Sequence, residues 1–350
     1  MIRQVVFILL LGWPLPALAQ SPSADASKPA PRPPADIPFA RLTPDAIIPL
    51  ALGPGAVESD DGVWLSDRQR GSIVRVDAKD NTAGAPIVIG VQPCASLAVA
   101  FDSIWVPMCG DRSLVRVEAK APRVAATLAT PVANGDGRIA TGVGSIWVVT
   151  DRKGIVSRID PATNAPVAEI HVAAGATAVA FGEAALWITS TCEGGGTPVS
   201  GGGNPFSGVA CNVLTRVNPH TNEVVEEIAV GPKPGRLTVG EGGVWTLNRG
   251  IGGQGSTVTR VDPATNKVVA TITVGEGVAD GEIAAGLGSV WISAPGVPLV
   301  RIDPRTNKAV QRFTGAGGGA VLVAYGSLWV AAGPQVTWRL DPTLVATVRP

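Results

Sequence analysis

The chain of 350 residues has little that would serve a charged partner or common enzyme chemistry. Lysine and arginine balance aspartate and glutamate at 28 each, so there is no net basic field to attract nucleic acid or anionic lipid. The sequence has two histidines, and it contains no Cys-x-x-Cys, no Ser-His-Asp set and no phosphate-cradling loop. One tyrosine and six phenylalanines leave little material for an aromatic surface on which bases or sugars stack. Nucleic-acid binding is therefore disfavoured.

Long apolar runs are also missing beyond the first residues. Arg3, the apolar stretch 5–11 and the small residues 17–19 predict a signal peptide over residues 1–19, with a run too short to span a bilayer. No later run reaches 18 apolar residues, so we expect a periplasmic or secreted protein with no membrane span. Residues 20–45 are rich in proline and alanine and predict an extended linker.

A tryptophan in a fixed setting is the dominant pattern of the remaining chain. It returns about every 40 residues, a period typical of β-propeller blades. The seven copies are Trp64, Trp105, Trp147, Trp187, Trp245, Trp291 and Trp329, and several read Gly-Ser-apolar-Trp. Short alternating strands separated by glycine and proline surround each copy, and no helical period interrupts them. We therefore predict an all-β, seven-bladed β-propeller of four-stranded antiparallel blades over residues 46–350.

The fifth copy shows how one blade is read. Segments 236–240, 244–247, 257–262 and 267–274 alternate apolar and polar residues and are predicted to be the first to fourth strands, counted outward from the centre. The fourth strand of the last blade has two candidates, because residues 46–53 and 343–348 both resemble it. We favour 46–53, since an N-terminal strand in the last blade would close the open edge between last and first blades.

A second motif, Arg-apolar-acid, ends each third strand. Its arginines are Arg75, Arg116, Arg158, Arg216, Arg260, Arg301 and Arg339. Proline follows in five copies, as in Asp262-Pro263, which predicts a tight turn capped by the aspartate. A residue repeated in every blade favours a structural role, so we expect each arginine to bind a carboxylate or carbonyl of its own or the next blade.

These motifs resemble those of a known group. Gly-Ser-apolar-Trp-Val, Arg-Ile-Asp-Pro-x-Thr-Asn and Ile-x-Val-Gly are similar to the YVTN-repeat and streptogramin B lyase-like seven-bladed propellers, over nearly all of residues 46–350. The resemblance implies, for the lyase branch, elimination chemistry with a histidine base and a magnesium ion near the central channel. This chain departs from that pattern, because His171 falls in a predicted fourth strand and His220 in a predicted turn.

The connections between second and third strands are irregular, and blade four carries the longest, from Cys192 to Cys211 with Phe206 as a candidate ligand contact. An even number of cysteines in an exported chain favours two disulfides. Three pairings are open, and the blade register favours Cys94–Cys109 and Cys192–Cys211. A cysteine metal site is the weaker alternative, because the spacing fits no zinc motif.

Two further sets of residues are candidates for ligand binding. Arg68, Arg112, Arg152 and Arg249 follow an aspartate or asparagine after the tryptophan, so they form either an anion-binding rim or a solvated surface. Glu276, Asp280 and Glu282 cluster in the predicted loop entering blade six, and Asp136 lies in the loop entering blade three. Their oxygens are suited to Ca²⁺ or Mg²⁺, although the spacing matches no calcium loop.

Two functional hypotheses follow. The first is an exported, monomeric, non-catalytic propeller that binds a protein partner or small ligand through the face carrying the blade-four loop. The second is a metal-dependent, lyase-like enzyme that uses carboxylates instead of histidine.

Overall fold

A computed structural model describes residues 33–53, 55–94, 96–133, 138–191, 212–250 and 255–350 of the chain. Strands make up nearly all the regular structure of these residues. The predicted signal peptide, Asp136, Phe206 and the pair Cys192 and Cys211 lie outside the described residues. None of the described helices is long and apolar enough to cross a bilayer.

The described strands form seven sheets. Two short strands come first, β1 (Asp36–Pro38) and β2 (Ala46–Ile48), with a 3-10 turn at Phe39–Arg41 between them. Blades 1 to 3 contain β3 (Val57–Glu58), β4 (Gly62–Asp67), β5 (Ser72–Asp77) and β6 (Ile87–Val88); β7 (Ala98–Ala100), β8 (Ser103–Met108), β9 (Ser113–Glu118) and β10 (Val124–Leu128); and β11 (Ile139–Gly142), β12 (Ser145–Asp151), β13 (Ile155–Asp160) and β14 (Ala165–His171).

Blades 4 to 7 repeat the same order of strands. They contain β15 (Ala176–Gly182), β16 (Ala185–Ser190), β17 (Val213–Asn218) and β18 (Glu223–Ala229); β19 (Pro234–Gly240), β20 (Gly243–Asn248), β21 (Ser256–Asp262) and β22 (Lys267–Gly275); β23 (Glu282–Gly286), β24 (Ser289–Ala294), β25 (Val297–Asp303) and β26 (Lys308–Thr314); and β27 (Val321–Ala324), β28 (Ser327–Gly333) and β29 (Val336–Leu340). Every blade is antiparallel from its first to its fourth strand, which confirms the predicted seven-bladed propeller.

In each blade the repeated tryptophan lies directly opposite the repeated arginine on the neighbouring strand. The pairs are Trp64–Arg75, Trp105–Arg116, Trp147–Arg158, Trp187–Arg216, Trp245–Arg260, Trp291–Arg301 and Trp329–Arg339. All seven rings are buried. In blades 2 to 7 the guanidinium carbon stands 4.9 to 5.9 Å from the ring centroid, within the range of a cation–π contact. Ring and cation therefore form one unit across two strands.

The arginine of this unit also reaches the next blade. Arg216 Nη1 donates to the Pro263 carbonyl at 2.8 Å and to Asn266 Oδ1 at 2.7 Å, both in the turn that ends β21. Four other arginines bind the corresponding asparagine: Arg116 to Asn164, Arg158 to Asn222, Arg260 to Asn307 and Arg339 to Asn81. The structural role predicted for these arginines is confirmed, with neutral acceptors of the next blade as partners.

The other residues of the two motifs serve the same unit. Arg158 Nε donates to Ser145 Oγ at 2.8 Å, and Arg301 Nε to Ser289 Oγ at 2.9 Å, which accounts for the serine in Gly-Ser-apolar-Trp. The indole N–H of Trp245 donates to the Gly240 carbonyl at 2.9 Å, where β19 ends. The turn asparagines have a positive φ, near 60°, a conformation that asparagine tolerates better than most residues.

The ring closes through the N-terminal strand, as predicted. β2 pairs antiparallel with β29 and becomes the outer strand of blade 7. Ile48 is fully buried there, whereas its neighbour Ile47 is 63% exposed. Arg339 of blade 7 donates to the Ala78 carbonyl of blade 1 at 2.7 Å, so the last blade binds the first through the same arginine as blades 2 to 5 use to bind the next.

The C-terminal segment differs from the strand that its sequence resembles. It forms a helix, α1 (Pro342–Thr347), whose first turn is capped by Asp341 through the Thr343 N–H at 2.7 Å. β2 already occupies the edge of blade 7, so no ladder remains for this segment to join. The helix instead supplies the Val345 carbonyl to Gln311 Nε2 at 2.8 Å.

Blade 6 has an additional outer strand, which comes from the N-terminal side of the chain. β1 pairs parallel with β26 and gives blade 6 five strands. Ile37 is fully buried, and Phe39 stacks on Trp338 with ring centroids 4.8 Å apart. The strand β1 and the packed Phe39 therefore lie within the stretch 20–45 that composition describes as a linker.

The pairing of β2 with β29, which we call the clasp, predicts a sharp difference between two adjacent isoleucines. Ile48→Ala should lower the free energy of unfolding by about 2–5 kcal/mol, because it leaves a cavity under the closing strand. Ile47→Ala, the matched control, should change it by less than about 0.5 kcal/mol, since its side chain is exposed. Urea unfolding of the two variants measures this, and equal effects would show that β2 does not carry the closure.

The inter-blade bond predicts a cost at the turn asparagine. Asn266→Gly preserves the positive φ but removes one of the two acceptors of Arg216, so it should lower the free energy of unfolding by about 1–2 kcal/mol. Arg305→Ala alters an exposed side chain of the next blade's turn and should stay within about 0.5 kcal/mol. A neutral Asn266→Gly would show that the bond does not stabilise the ring.

Candidate functional site

The two faces of the propeller differ in how much they vary. The turn face carries the connections from first to second and from third to fourth strands, and its aspartates cap similar turns: Asp160, Asp262 and Asp303 each accept a backbone N–H two residues ahead, at 2.7 to 2.9 Å. Hydrogen bonds from the Ala264 N–H and Thr265 hydroxyl lower the pKa of Asp262. The loop face carries the remaining connections, and between second and third strands these range from residues 295–296 to residues 191–212.

A disulfide braces the loop face at blade 2. Cys94 and Cys109 are bonded with their Cα atoms 5.0 Å apart, which confirms the first predicted pairing. The bond joins the link that enters blade 2 to the connection between β8 and β9, and the Cys109 N–H donates to the Gln92 carbonyl at 2.9 Å. Such bonds are typical of oxidising compartments.

The four predicted rim arginines all lie exposed on the loop face, in blades 1, 2, 3 and 5. Their aspartate neighbours have other partners: Asp67 accepts the Gln69 and Arg70 N–H groups at 3.0 and 2.9 Å, and Asp151 accepts the Lys153 N–H at 2.8 Å. These carboxylates shape the turns.

The four arginines do not share one set of contacts. Arg112 Nε donates to the Val132 carbonyl at 3.3 Å, and Arg249 forms an exposed ion pair with Asp280 at 2.8 Å. Arg68 borders a cavity between blades 1 and 7. A common anion site for all four stays a prediction.

A second group of charges meets at the central channel. Glu282, the first residue of β23, accepts Arg138 Nη2 at 2.6 Å and Arg236 Nε at 2.8 Å through the same oxygen, and all three side chains are largely buried. They come from blades 6, 3 and 5 and line a channel cavity of about 300 Å³. The sequence analysis named Glu282 and missed both arginines. The feature that could have revealed them in the sequence is a single arginine near the start of the innermost strand in blades 3 and 5.

Two of the three predicted metal-binding carboxylates are engaged in other contacts. Glu282 faces two guanidinium groups, and Asp280 pairs with Arg249. At Glu276 it is the backbone carbonyl that accepts Arg312 Nη2, at 2.9 Å. Over the described ranges, no three or more His, Cys, Asp or Glu residues come together in a way that would hold a metal. Glu282 and Asp280 are the carboxylates that would have to exchange these arginines for a cation, and the Ca²⁺ or Mg²⁺ site stays a prediction.

Comparison with known proteins identifies the fold. No family model and no curated protein sequence matches the chain. Among solved structures it is similar to a streptogramin B lyase (16% identity, 83% of this chain and 93% of that chain, TM-score 0.63). It is equally similar to virginiamycin B lyase from Staphylococcus aureus (16%, 84% and 97%, 0.65). It also resembles BamB from Moraxella catarrhalis (12%, 85% and 99%, 0.60).

The chain shares its propeller fold with enzymes and non-enzymes alike.

At these identities the likeness concerns the fold, so function depends on the residues of this chain. Its two histidines are far from the channel group: His171 is exposed at the end of β14, an outer strand, and His220 is exposed in the turn between β17 and β18. The resemblance seen in the sequence motifs is thus confirmed for the architecture, and the histidines lie at the periphery as their register predicted.

The channel group predicts different costs for two carboxylates. Glu282→Gln should lower the free energy of unfolding by about 3 kcal/mol or more, because it takes a carboxylate away from two largely buried guanidinium groups. Asp280→Asn, the matched control, breaks an exposed ion pair and should cost at most about 1 kcal/mol. Urea unfolding at low and high salt measures both, and equal costs would contradict a structural role for Glu282.

Proposed function

We propose that this protein is an exported, non-catalytic propeller that binds a protein partner or a small ligand through its loop face. The observation that carries the proposal is the contrast between the faces. On the turn face, short similar turns are engaged in the arginine bonds between blades. On the loop face lie the disulfide, the exposed arginines, the longest connection and a cavity of about 600 Å³. Variable loops on a rigid scaffold are where binding sites concentrate.

The channel favours binding over lyase chemistry. A general base needs to reach a substrate proton, and both histidines are on the outside of the ring. The channel carboxylate Glu282 accepts two guanidinium N–H groups through one oxygen, so that oxygen is already occupied. A metal-dependent, lyase-like enzyme is thus the less supported alternative, although a streptogramin B lyase has the same fold.

Export to the periplasm or the medium is part of the proposal. The leader-like residues 1–19 and the Cys94–Cys109 disulfide both fit an oxidising compartment. The ring closes within one chain through β2, so no second copy is needed to complete it, which supports a monomer.

Site-specific photo-crosslinking tests which face binds. A photo-reactive phenylalanine at the exposed loop-face positions Gln69, Lys153 and Arg249 should yield adducts in cells of the source organism. The same residue at the exposed turn-face positions Lys79, Ala162 and Arg305 should yield none. Replacing residues 193–210 by a short linker should lower the loop-face yield, because that connection adds contact surface.

Unchanged far-ultraviolet circular dichroism would serve as the folding control for each variant. Adducts confined to the turn face, or spread equally over both faces, would overturn the proposal. Metal-dependent turnover of a substrate that is lost in Glu282→Gln or in Asp280→Asn, while the variant stays folded, would favour the enzyme.

A further inference from the structure

A cavity on the loop face lies where the last blade meets the first. We call it the seam cavity. It has a volume of about 600 Å³ and is lined by Leu50, Leu65, Val74, Pro334, Arg68 and Gln69, among others. Its size falls in the range of small-ligand pockets, and its wall is mainly apolar with a few polar groups, as such pockets usually are.

The seam cavity exists because the repeat is interrupted there. The chain passes from the outer strand of blade 7 to the inner strand of blade 1 through residues 49–56, and that inner strand, β3, has only two residues. The connection between β28 and β29 faces this link and contributes Pro334 and Gln335. The walls are anchored by the clasp, since Thr337 Oγ1 donates to the Leu50 carbonyl at 2.8 Å.

The charge at the cavity favours an anion. Two charged residues line it, Asp67 and Arg68. The Asp67 carboxylate already accepts two backbone N–H groups and pairs with Arg70 at 3.3 Å. Within the described part of the chain, Arg68 has no hydrogen bond or ion pair, and its side chain is exposed. A planar guanidinium with free N–H groups is suited to bind a carboxylate in a bidentate manner.

A second depression lies beside the seam cavity. It has about 460 Å³, shares Arg68 and Gln69 with it and is otherwise lined by Arg70 and residues 71, 90, 91 and 92. Arg68 therefore stands between an apolar compartment and a more open one. A ligand whose apolar body fills the first would bring an acidic end to the guanidinium.

We propose that the seam cavity binds an organic monocarboxylate with a flexible apolar body. The inference rests on the proposed function, because it assigns a ligand class to one part of the loop face. The apolar wall removes the ligand's hydrocarbon from water, and Arg68, assisted by the amides of Gln69 and Gln335, holds its carboxylate.

Octanoate is the probe that tests this site. Isothermal titration of the full chain should show one octanoate per protein, while octan-1-ol, which lacks the charge, should bind about tenfold more weakly. Arg68→Gln should weaken octanoate binding about tenfold and leave octanol unchanged, since it removes the charge-assisted bond alone. Ala51→Trp adds a large side chain to the lining and should abolish both.

Arg152→Gln is the matched control, an exposed loop-face arginine of blade 3 that does not line the cavity; it should bind octanoate like the parent. No binding by the parent, or binding that survives both Arg68→Gln and Ala51→Trp, would overturn the inference. Loop-face crosslinks that persist when octanoate fails would show that the ligand class is wrong and the binding face correct. If the parent protein showed neither loop-face crosslinks nor octanoate binding, the proposed function would be overturned as well.

Discussion

The structure depends on a cation held against an indole ring between two blades. An arginine half removed from water loses hydration that something must replace, and here the replacements are all neutral: a ring face, a serine oxygen and the carbonyl and amide oxygens of the next blade. Burial lowers the pKa of Arg301, the direction expected when its charged form loses water. The hydrogen bond that replaces the lost hydration of the arginine also joins its blade to the next one. The same bond therefore contributes to the stability of the blade and to the assembly of the ring.

The departures from this rule gather around the point where the ring closes. Arg75 of blade 1 binds Asp61 instead, because the turn of blade 2 over residues 118–123 has no asparagine to offer. Arg301 of blade 6 binds Gln311, whose amide in turn holds the C-terminal helix, since blade 7 lacks a turn to its outer strand. The hydroxyl of Tyr325, the single tyrosine of the chain, donates to the Ser59 carbonyl, and the indole N–H of Trp64, five residues later, is buried without a hydrogen bond.

How far the sequence could lead follows from the same division. Seven tryptophans and seven arginines obey one local rule, so their spacing predicts the blade count, the strand order and the role of the arginine. The clasp was open between two segments and was decided correctly by the need to close an edge. The sequence did not predict the helix over Pro342–Thr347 or the strand over Asp36–Pro38. Each depends on which sheet edge is already occupied by another segment of the chain. The channel group could not be predicted for a related reason. Arg138, Arg236 and Glu282 are far apart in sequence, and only the closure of the ring brings both arginines to the same Glu282 oxygen.

The two faces of the propeller differ in how freely their residues can vary, because the repeated arginine bonds between blades lie on the turn face. The asparagine and the proline of a turn cannot change without disturbing a bond to the neighbouring blade, because Asn266 Oδ1 and the Pro263 carbonyl are the acceptors for Arg216. Over the residues that the structure describes, the connections on the loop face show no such repeated arginine bond between blades, so their length and chemistry are open to change at little structural cost. The seam adds a second freedom, since two chain segments with different neighbours meet there and leave space between their side chains. The ring is therefore least regular on the loop face beside its own closure, which is where we propose the ligand site.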